Sequence, residues 1–470
     1  MISDNHLDTS VDIAVIGGGL VGCAVARELA GYQLSVALVE ARADIGDVTS
    51  KANTAILHTG FDATPGSLES KLVRRGYELL GDYSIRAGIP IERTGALLVA
   101  WTDEELATLG KLAAKAIANG YELCELVDAD EVYRREPHLG LGALGGLTVP
   151  DESIICSWTT ALAYATEALD RGATLLLNHR VDSVERTGNA TVLRTNSGDV
   201  RATWVINCAG HGADIIDRHF GFERFTVVPR RGELIVFDKL ARSLVSSIVL
   251  PVPSSRGKGV LISPTIYGNV MLGPTADNIE DRTATGTTEA GLASLLDKGR
   301  ALMPDLLDEE VTAVYAGLRA ATEHDDYVTA IDAAQRYVLV GGIRSTGLTA
   351  SMALAEYVAE LLRGAGLQLI QLDDLPPTRR MPNVGEAFIR PYADSDRIAA
   401  DAEYGKVVCF CERVTRGEIR DALESPIPPT DLDGLRRRTR ALMGRCQGFY
   451  CGAEVEKLLR GASADIEVSS

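Results

Sequence analysis

Val11-Asp12-Ile13-Ala14-Val15-Ile16 runs directly into Gly17-Gly18-Gly19-Leu20-Val21-Gly22, and this junction decides how the first half of the chain is read. A short β-branched run suits a strand buried on both faces. Cys23 to Ala30 follows with helical spacing, and a second apolar run, Leu34 to Val39, ends in Glu40, 18 positions beyond Gly22. Strand, turn, helix, strand and acid stand in the order of a β-α-β dinucleotide unit with a G-x-G-x-x-G turn. Gly17 permits the tight turn, Gly19 lets a pyrophosphate approach the backbone, and Gly22 lets helix and strand pack closely. The helix start offers unpaired N–H groups and a positive dipole end to the phosphates. Glu40 can accept hydrogen bonds from both ribose hydroxyls, and its charge disfavours a 2′-phosphate. The signature alone serves FAD and NAD equally.

Distant segments make that choice. Val205 to Gly210 (V-I-N-C-A-G) reads as a buried strand ending in small residues, suited to close approach of a cofactor. Tyr337 to Gly342 leads through Ile343-Arg344-Ser345-Thr346-Gly347-Leu348-Thr349 into an amphipathic helix over Ala350 to Leu362. Such a return aims a second helix start at the same ligand. An NAD dehydrogenase does not ordinarily need it; a flavoprotein with an inserted substrate domain does.

The 470 residues are 46% hydrophobic and 24% charged, which excludes wholesale disorder and allows a sizeable core without disulfides. A net charge of −18 opposes binding to nucleic acid or anionic lipid, although a local basic pocket can still take a small anion. No apolar run reaches the roughly 18 residues of a spanning helix, and Met1 to Ser10 lacks the basic start and apolar run of a secretory signal. A cytoplasmic, reducing location is expected, with membrane association only through a partner. Cys23, Cys124, Cys156 and Cys208 are scattered in apolar surroundings, as core residues are.

The expected fold class is α/β (α+β overall). A Rossmann-like FAD-binding domain is assembled from 11–80, 150–215 and 315–365. A substrate or cap domain from 81–149 and 216–314 carries an antiparallel sheet, with strands over Gly95 to Trp101, Glu233 to Phe237 and Asn269 to Leu272, that covers the flavin ring. A linker over 366–400 and a small helical, cysteine-rich domain over 401–470 complete the chain.

His58 stands in a small-residue loop just after the nucleotide unit. Oxidising an alcohol through a flavin requires removal of the hydroxyl proton, and a histidine titrating near neutrality suits that task; it also suits simple hydrogen bonding of the loop. An anionic substrate needs fixed cations, for which Lys258, Arg319 and Arg344 are candidates, Arg344 being the one most suited to pairing with a nearby acid instead. Thr49, Ser50 and Lys51 fit either a contact to the ribityl-phosphate side or an exposed loop.

Ile13 to Glu40, N-T-A-I-L-H-T-G at 53–60, P-G-S-L at 65–68, R-G-E-L at 231–234, K-G-V-L-I-S-P-T at 258–265, L-G-P-T-A at 272–276 and G-I-R-S-T-G-L-T at 342–349 together resemble the FAD-dependent oxidoreductases of the D-amino-acid oxidase superfamily. The likeness is to glycerol-3-phosphate dehydrogenases and oxidases and to L-2-hydroxyglutarate oxidases. It implies His58 as base, with Lys258, Arg319 and Ser345 lining the substrate site. It also implies that Thr49, Ser50, Val181, Gly210, Gly317, Gly347, Leu348 and Thr349 join Gly17, Gly19, Gly22 and Glu40 around the cofactor. Lys258 favours a phosphorylated polyol, glycerol 3-phosphate, over a 2-hydroxy acid; an amine ranks third.

In the tail, Cys409-Phe410-Cys411 and Cys446-Gln447-Gly448-Phe449-Tyr450-Cys451 bracket two helical patterns, Thr415 to Leu423 and Asp431 to Leu442, the first opening on a Thr415/Glu418 capping box. Four thiolates in two close pairs can hold a tetrahedral metal or a 2Fe-2S cluster. C-F-C-E at 409–412, G-E-I at 417–419 and R-T-R-A-L-M-G-R-C-Q-G at 438–448 resemble the bacterioferritin-associated ferredoxin module, which implies the cluster; structural zinc is the alternative. Arg436 to Arg440 is expected to be a solvated helix face or to balance cluster charge. Flavin plus cluster points to electrons leaving for an acceptor protein or second subunit, in a chain expected to form an oligomer. A non-catalytic electron-transfer subunit is the rival of another class.

Overall fold

The computed structural model describes residues 9–253, 259–386 and 388–469. Lys258 lies outside the described residues. The fold is mixed α/β, with two large sheets that both line a common cleft and a small C-terminal domain paired with the loops that follow a strand of each.

The first sheet has eight strands. Val36–Val39, Thr9–Ile16, Val200–Asn207 and Tyr337–Gly341 run parallel side by side. Ile13 and Val15 point to one face and Ala14 and Ile16 to the other, and all four are buried. The helices Leu20–Leu29, Ser157–Asp170 and Gly347–Gly364 cover the first face. Phe220, Phe225 and Tyr337 fill the second. Each fully buried Val or Ile contributes about 1.5–3 kcal/mol, so a run apolar on both faces can sit only here. Val200–Asn207 forks: Val200 to Ala202 pair antiparallel with Ala190–Thr195, while Val205 to Asn207 pair parallel with Tyr337–Gly341. The fork opens the sheet at the carboxyl ends of its central strands, where ligands bind in such folds.

The second sheet has nine strands, antiparallel except where Ile248–Pro251 runs parallel to Ala96–Ala100. Its longest pairing joins Val228–Phe237 to Val311–Ala321, from Val228 opposite Ala321 to Phe237 opposite Val311. That register sets Arg230 opposite Arg319. No helix among the described residues is long and apolar enough to cross a membrane.

Segment 366–400 is tied down rather than free. Gln33 N–H donates to the Ile370 carbonyl, Met381 N–H to Ala87 and Glu386 N–H to Ile266, and Arg379 pairs with Asp170 at 2.9 Å. In the C-terminal domain a hairpin, Val407–Cys409 with Val414–Thr415, leads through the Thr415/Glu418 capping box into Arg416–Leu423. The next helix, Leu432–Thr439, stops three residues short of the expected Leu442, because Arg440 adopts a left-handed φ of 74°.

The arginine run corrects a sequence expectation. Arg436 is half exposed beside Asp433, but Arg437, Arg438 and Arg440 are buried. Arg438 Nη1 and Arg437 Nη2 lie 2.7 and 2.6 Å from Asp44 Oδ2, Arg438 Nη2 lies 2.8 Å from Oδ1, and Arg437 reaches Asp47 at 2.9 Å. Arg440 pairs with Glu412 and sits over the Tyr267 ring. The run is an interface because Asp44 and Asp47, in the loop after Glu40, supply carboxylates that water would otherwise have to replace.

Candidate active site

A cleft of about 920 Å³ lies between the two large sheets. Its cofactor side begins at the glycine turn. A Cβ on Gly17 would meet the Cys208 carbonyl at 2.4 Å, and one on Gly22 the Gly17 carbonyl at 1.8 Å. Both glycines are therefore required for packing and lie behind the cleft wall, whereas Gly19 faces it. The helix Leu20–Leu29 has no side-chain cap, and neither has Gly347–Gly364. Long helices elsewhere are capped, by Ser67, Thr102 and Thr288. Both of these starts open on the cleft, through Leu20, Val21, Gly347 and Leu348; Ser50 takes the Leu20 N–H, and the remaining first-turn N–H groups are donors for an anionic group. Glu40 is buried and takes the N–H of Gly18 at 2.5 Å and of Arg42 at 2.7 Å, one on each oxygen. A carboxylate has about four acceptor sites, so acceptor capacity remains for a ribose. Burial pushes its carboxyl up from the usual range, against the pull of those two N–H groups. These residues fit an adenine dinucleotide.

Thr49 and Ser50 form a short turn lining the cleft. Ser50 Oγ accepts the Leu20 N–H at 3.0 Å, and Thr49 Oγ1 donates to the Leu318 carbonyl at 2.9 Å. A Cβ on Gly317 would meet the Ala52 carbonyl at 2.2 Å, so the bare backbone there seats this turn on the second sheet. Gly210 also lines the cleft. Val181 does not: it follows His179, whose N–H donates to the Glu40 carbonyl, and it packs on the core near the acid. Thr349 is buried behind the wall and its hydroxyl accepts the His58 N–H at 2.9 Å.

His58 lies in the same cleft with Arg319 and Ser345. It follows the short strand Ile56–Leu57, whose Leu57 pairs with Ser153, so the antiparallel register sets His58 beside Glu152. His58 Nδ1 lies 3.1 Å from Glu152 Oε2. Arg319 donates to the Thr275 carbonyl at 3.3 Å, and Arg230 donates to Asn278 at 2.8 Å. Both line the cleft, and neither forms an ion pair with a carboxylate among the described residues. Burial, and then repulsion from Arg230, hold the Arg319 guanidinium below its usual range, where it is still a cation at neutral pH. Arg344 is different: it pairs with Glu69 and Asp325, each at 3.8 Å.

Cys409 and Cys451 are buried, and Cys411 and Cys446 half-buried. Cys411 neighbours Cys446, and Cys409 neighbours Cys451. No three converge on one metal position among the described residues. Two sulfur pairs suit two irons better than the single tetrahedron zinc requires. The Tyr450 N–H pulls the Cys446 thiol down, as do the neighbouring Cys411, Gly448 and Phe449 groups, which favours a thiolate.

Glu152, Arg230 and Asp44 were not found from sequence. Glu152 is one of two adjacent acids in V-P-D-E-S and Arg230 one of two adjacent arginines. Only strand register gives either a partner.

Residues 12–361 match the family model of FAD dependent oxidoreductases, and residues 407–460 match that of BFD-like 2Fe-2S binding domains. The chain is 35% identical over 453 residues to the glycerol 3-phosphate dehydrogenase of Caloramator mitchellensis, covering 95% of this chain and 93% of that one. The L-alpha-glycerophosphate oxidase of Mycoplasma pneumoniae, solved with FAD bound, superposes with a TM-score of 0.76 at 28% identity, over 80% of this chain and 100% of that chain. The mitochondrial L-2-hydroxyglutarate dehydrogenase of Caenorhabditis elegans is 31% identical over 276 residues, 56% of this chain and 63% of that one. The cofactors are FAD and a 2Fe-2S cluster. This chain belongs to the FAD-dependent oxidoreductase family and carries, after its flavin domain, a BFD-like 2Fe-2S binding domain.

Proposed function

We propose that the chain is a dehydrogenase oxidising glycerol 3-phosphate at C2 to dihydroxyacetone phosphate, with electrons leaving through the C-terminal domain to a protein acceptor in the cytoplasm. The observation that carries the substrate is the cross-strand pair Arg230 and Arg319, two cations opposite each other on the cleft wall with no carboxylate partner among the described residues. Like charges so placed are destabilising by themselves, and a dianionic phosphate relieves both. The relatives named above for glycerol 3-phosphate support the same choice.

Arg319 offers its planar fork to the phosphate, Arg230 adds a second charge, and Ser345 donates from the opposite rim. His58 takes the C2 hydroxyl proton on the nitrogen that Glu152 does not hold. The second sheet excludes water from the reacting carbon. FAD, when bound, supplies the acceptor for the hydride leaving C2, and the cluster supplies one-electron exit.

Turnover with an artificial acceptor should favour glycerol 3-phosphate over L-2-hydroxyglutarate, with inorganic phosphate as a competitive inhibitor. Arg319→Met should raise KM for glycerol 3-phosphate roughly 10- to 100-fold, the value of a lost charge-assisted hydrogen bond. Faster turnover of L-2-hydroxyglutarate, or an unchanged KM, would contradict the assignment. For the second cofactor, Cys446→Ser should lower iron content and remove the cluster's visible bands while FAD stays bound and is still reduced by substrate. Unchanged iron would place the metal elsewhere.

A further inference from the structure

We propose that Glu152 is the positioning residue of His58: its carboxylate holds the imidazole with hydrogen on Nδ1 and the lone pair on Nε2, the nitrogen that receives the substrate proton. The proposal rests on reading His58 as the base.

Glu152 has none of its surface exposed. Its two oxygens are divided. Oε1 accepts from the Thr59 N–H at 2.7 Å and the Thr59 hydroxyl at 2.9 Å, while Oε2 faces His58 Nδ1 at 3.1 Å. Thr59 therefore sets the carboxylate plane, and the second oxygen is left for the ring. The backbone on both sides is fixed as well. The Leu57–Ser153 pairing holds the two chains in register, Gly95 N–H donates to the Glu152 carbonyl, and Thr349 takes the His58 N–H. Among the described residues no lysine or arginine lies within ion-pair distance of Glu152; His58 is its basic partner.

Removing an ionised carboxylate from water costs several kcal/mol unless a partner repays it. Two hydrogen bonds from Thr59 would be made as well by a neutral glutamine. An acid is needed only if the group opposite becomes positive, and the imidazole does so when it accepts the hydroxyl proton. No charge then has to be created alone in the cleft, and the proton stays on the imidazole while Glu152 remains ionised, as in other His–carboxylate pairs.

The other titratable groups around Glu152 are Tyr77, Tyr121, Cys124 and Asp151. Burial pushes both tyrosines up, and the Cys124 thiol up to about 12, so these three stay neutral near pH 7. The adjacent Asp151 uses its backbone carbonyl toward Tyr77 and Ser153.

Glu152→Gln tests this in the FAD-loaded enzyme. It should lower kcat/KM roughly 10²-fold or more, the lower end of what a general base contributes, and should move the acid limb of the kcat/KM profile to lower pH because the imidazolium loses its counter-charge. Glu152→Asp should recover part of the rate and the original limb, and Thr59→Val should lie between. The independent readout is the ¹⁵N NMR tautomer of the His58 ring, assigned by its loss in His58→Asn. Wild type should carry hydrogen on Nδ1, and Glu152→Gln should change it. An unchanged ring tautomer and acid limb in Glu152→Gln, with only lower thermal stability, would overturn the proposal. A changed tautomer with unchanged kcat/KM would instead refute His58 as base and leave the positioning intact.

Discussion

His58→Asn enzyme is expected to bind FAD as the wild type does and to oxidise its substrate roughly 10²- to 10⁴-fold more slowly, the range a general base supplies. Asparagine is polar and short enough for the turn, and the contact with Thr349 uses the His58 backbone N–H, which the substitution keeps. The glycine turn, Glu40 and the uncapped helix starts are untouched, so cofactor retention should not change. On the proposed reading, what is lost is the nitrogen that takes the C2 hydroxyl proton. The loss should fall on kcat more than on KM, since the proposed anion anchors, Arg230 and Arg319, are on Val228–Phe237 and Val311–Ala321. Rapid-mixing measurement of flavin bleaching separates the cases. An unchanged bleaching rate would remove His58 from the reaction.

Asp44→Ala is expected to cost about 3–5 kcal/mol in unfolding by urea, the penalty for stranding a buried charge. Asp44 is 3% exposed and faces Arg437 and Arg438, which are 8% and 6% exposed. Removing the acid leaves two buried guanidiniums without their anion, beside only Asp47. The damage should be local first: the C-terminal domain loosens from the loop that carries Ser50, so flavin release should precede global unfolding. The acid limb has a definite sign. Burial raises the Asp44 carboxyl, but the hydrogen bond and charge of Arg438, with those of Arg437, outweigh it, and the net shift is downward. Its contribution is therefore fully present above the unfolded carboxylate value of about 3.9 and is lost as pH falls through the lower folded value. The variant should lack this part of the acid transition. Equal stability of variant and wild type at pH 7 would show that the interface does not depend on the pair.

The features legible in sequence are those governed by local geometry. The glycine turn, the acid after the second strand and the Thr415/Glu418 cap are dictated over a few residues, and they appear where the pattern puts them. The cysteine pairs were legible for the same reason, since each pair is short. Of the two roles the sequence allows Arg344, substrate cation or partner of an acid, the structure has the second. Glu152 was illegible because its relation to His58 depends on a three-stranded sheet joining residues 56–57, 91–92 and 153–155. Arg230 needed the register of two strands about eighty positions apart. Of the two readings of the arginine run, the solvated face fails because a basic stretch on a helix looks solvated until the facing surface is known, and here that surface carries Asp44 and Asp47. Long-range pairing is what a single sequence conceals.

The most direct measurement mixes the FAD-loaded protein anaerobically with glycerol 3-phosphate and follows the visible flavin band, with glycerol, L-2-hydroxyglutarate and the His58→Asn enzyme alongside. Complete, rapid bleaching by glycerol 3-phosphate alone, nearly abolished in the variant, is the predicted result. A flavin that stays oxidised with glycerol 3-phosphate, or that bleaches equally fast without the imidazole, would contradict the account.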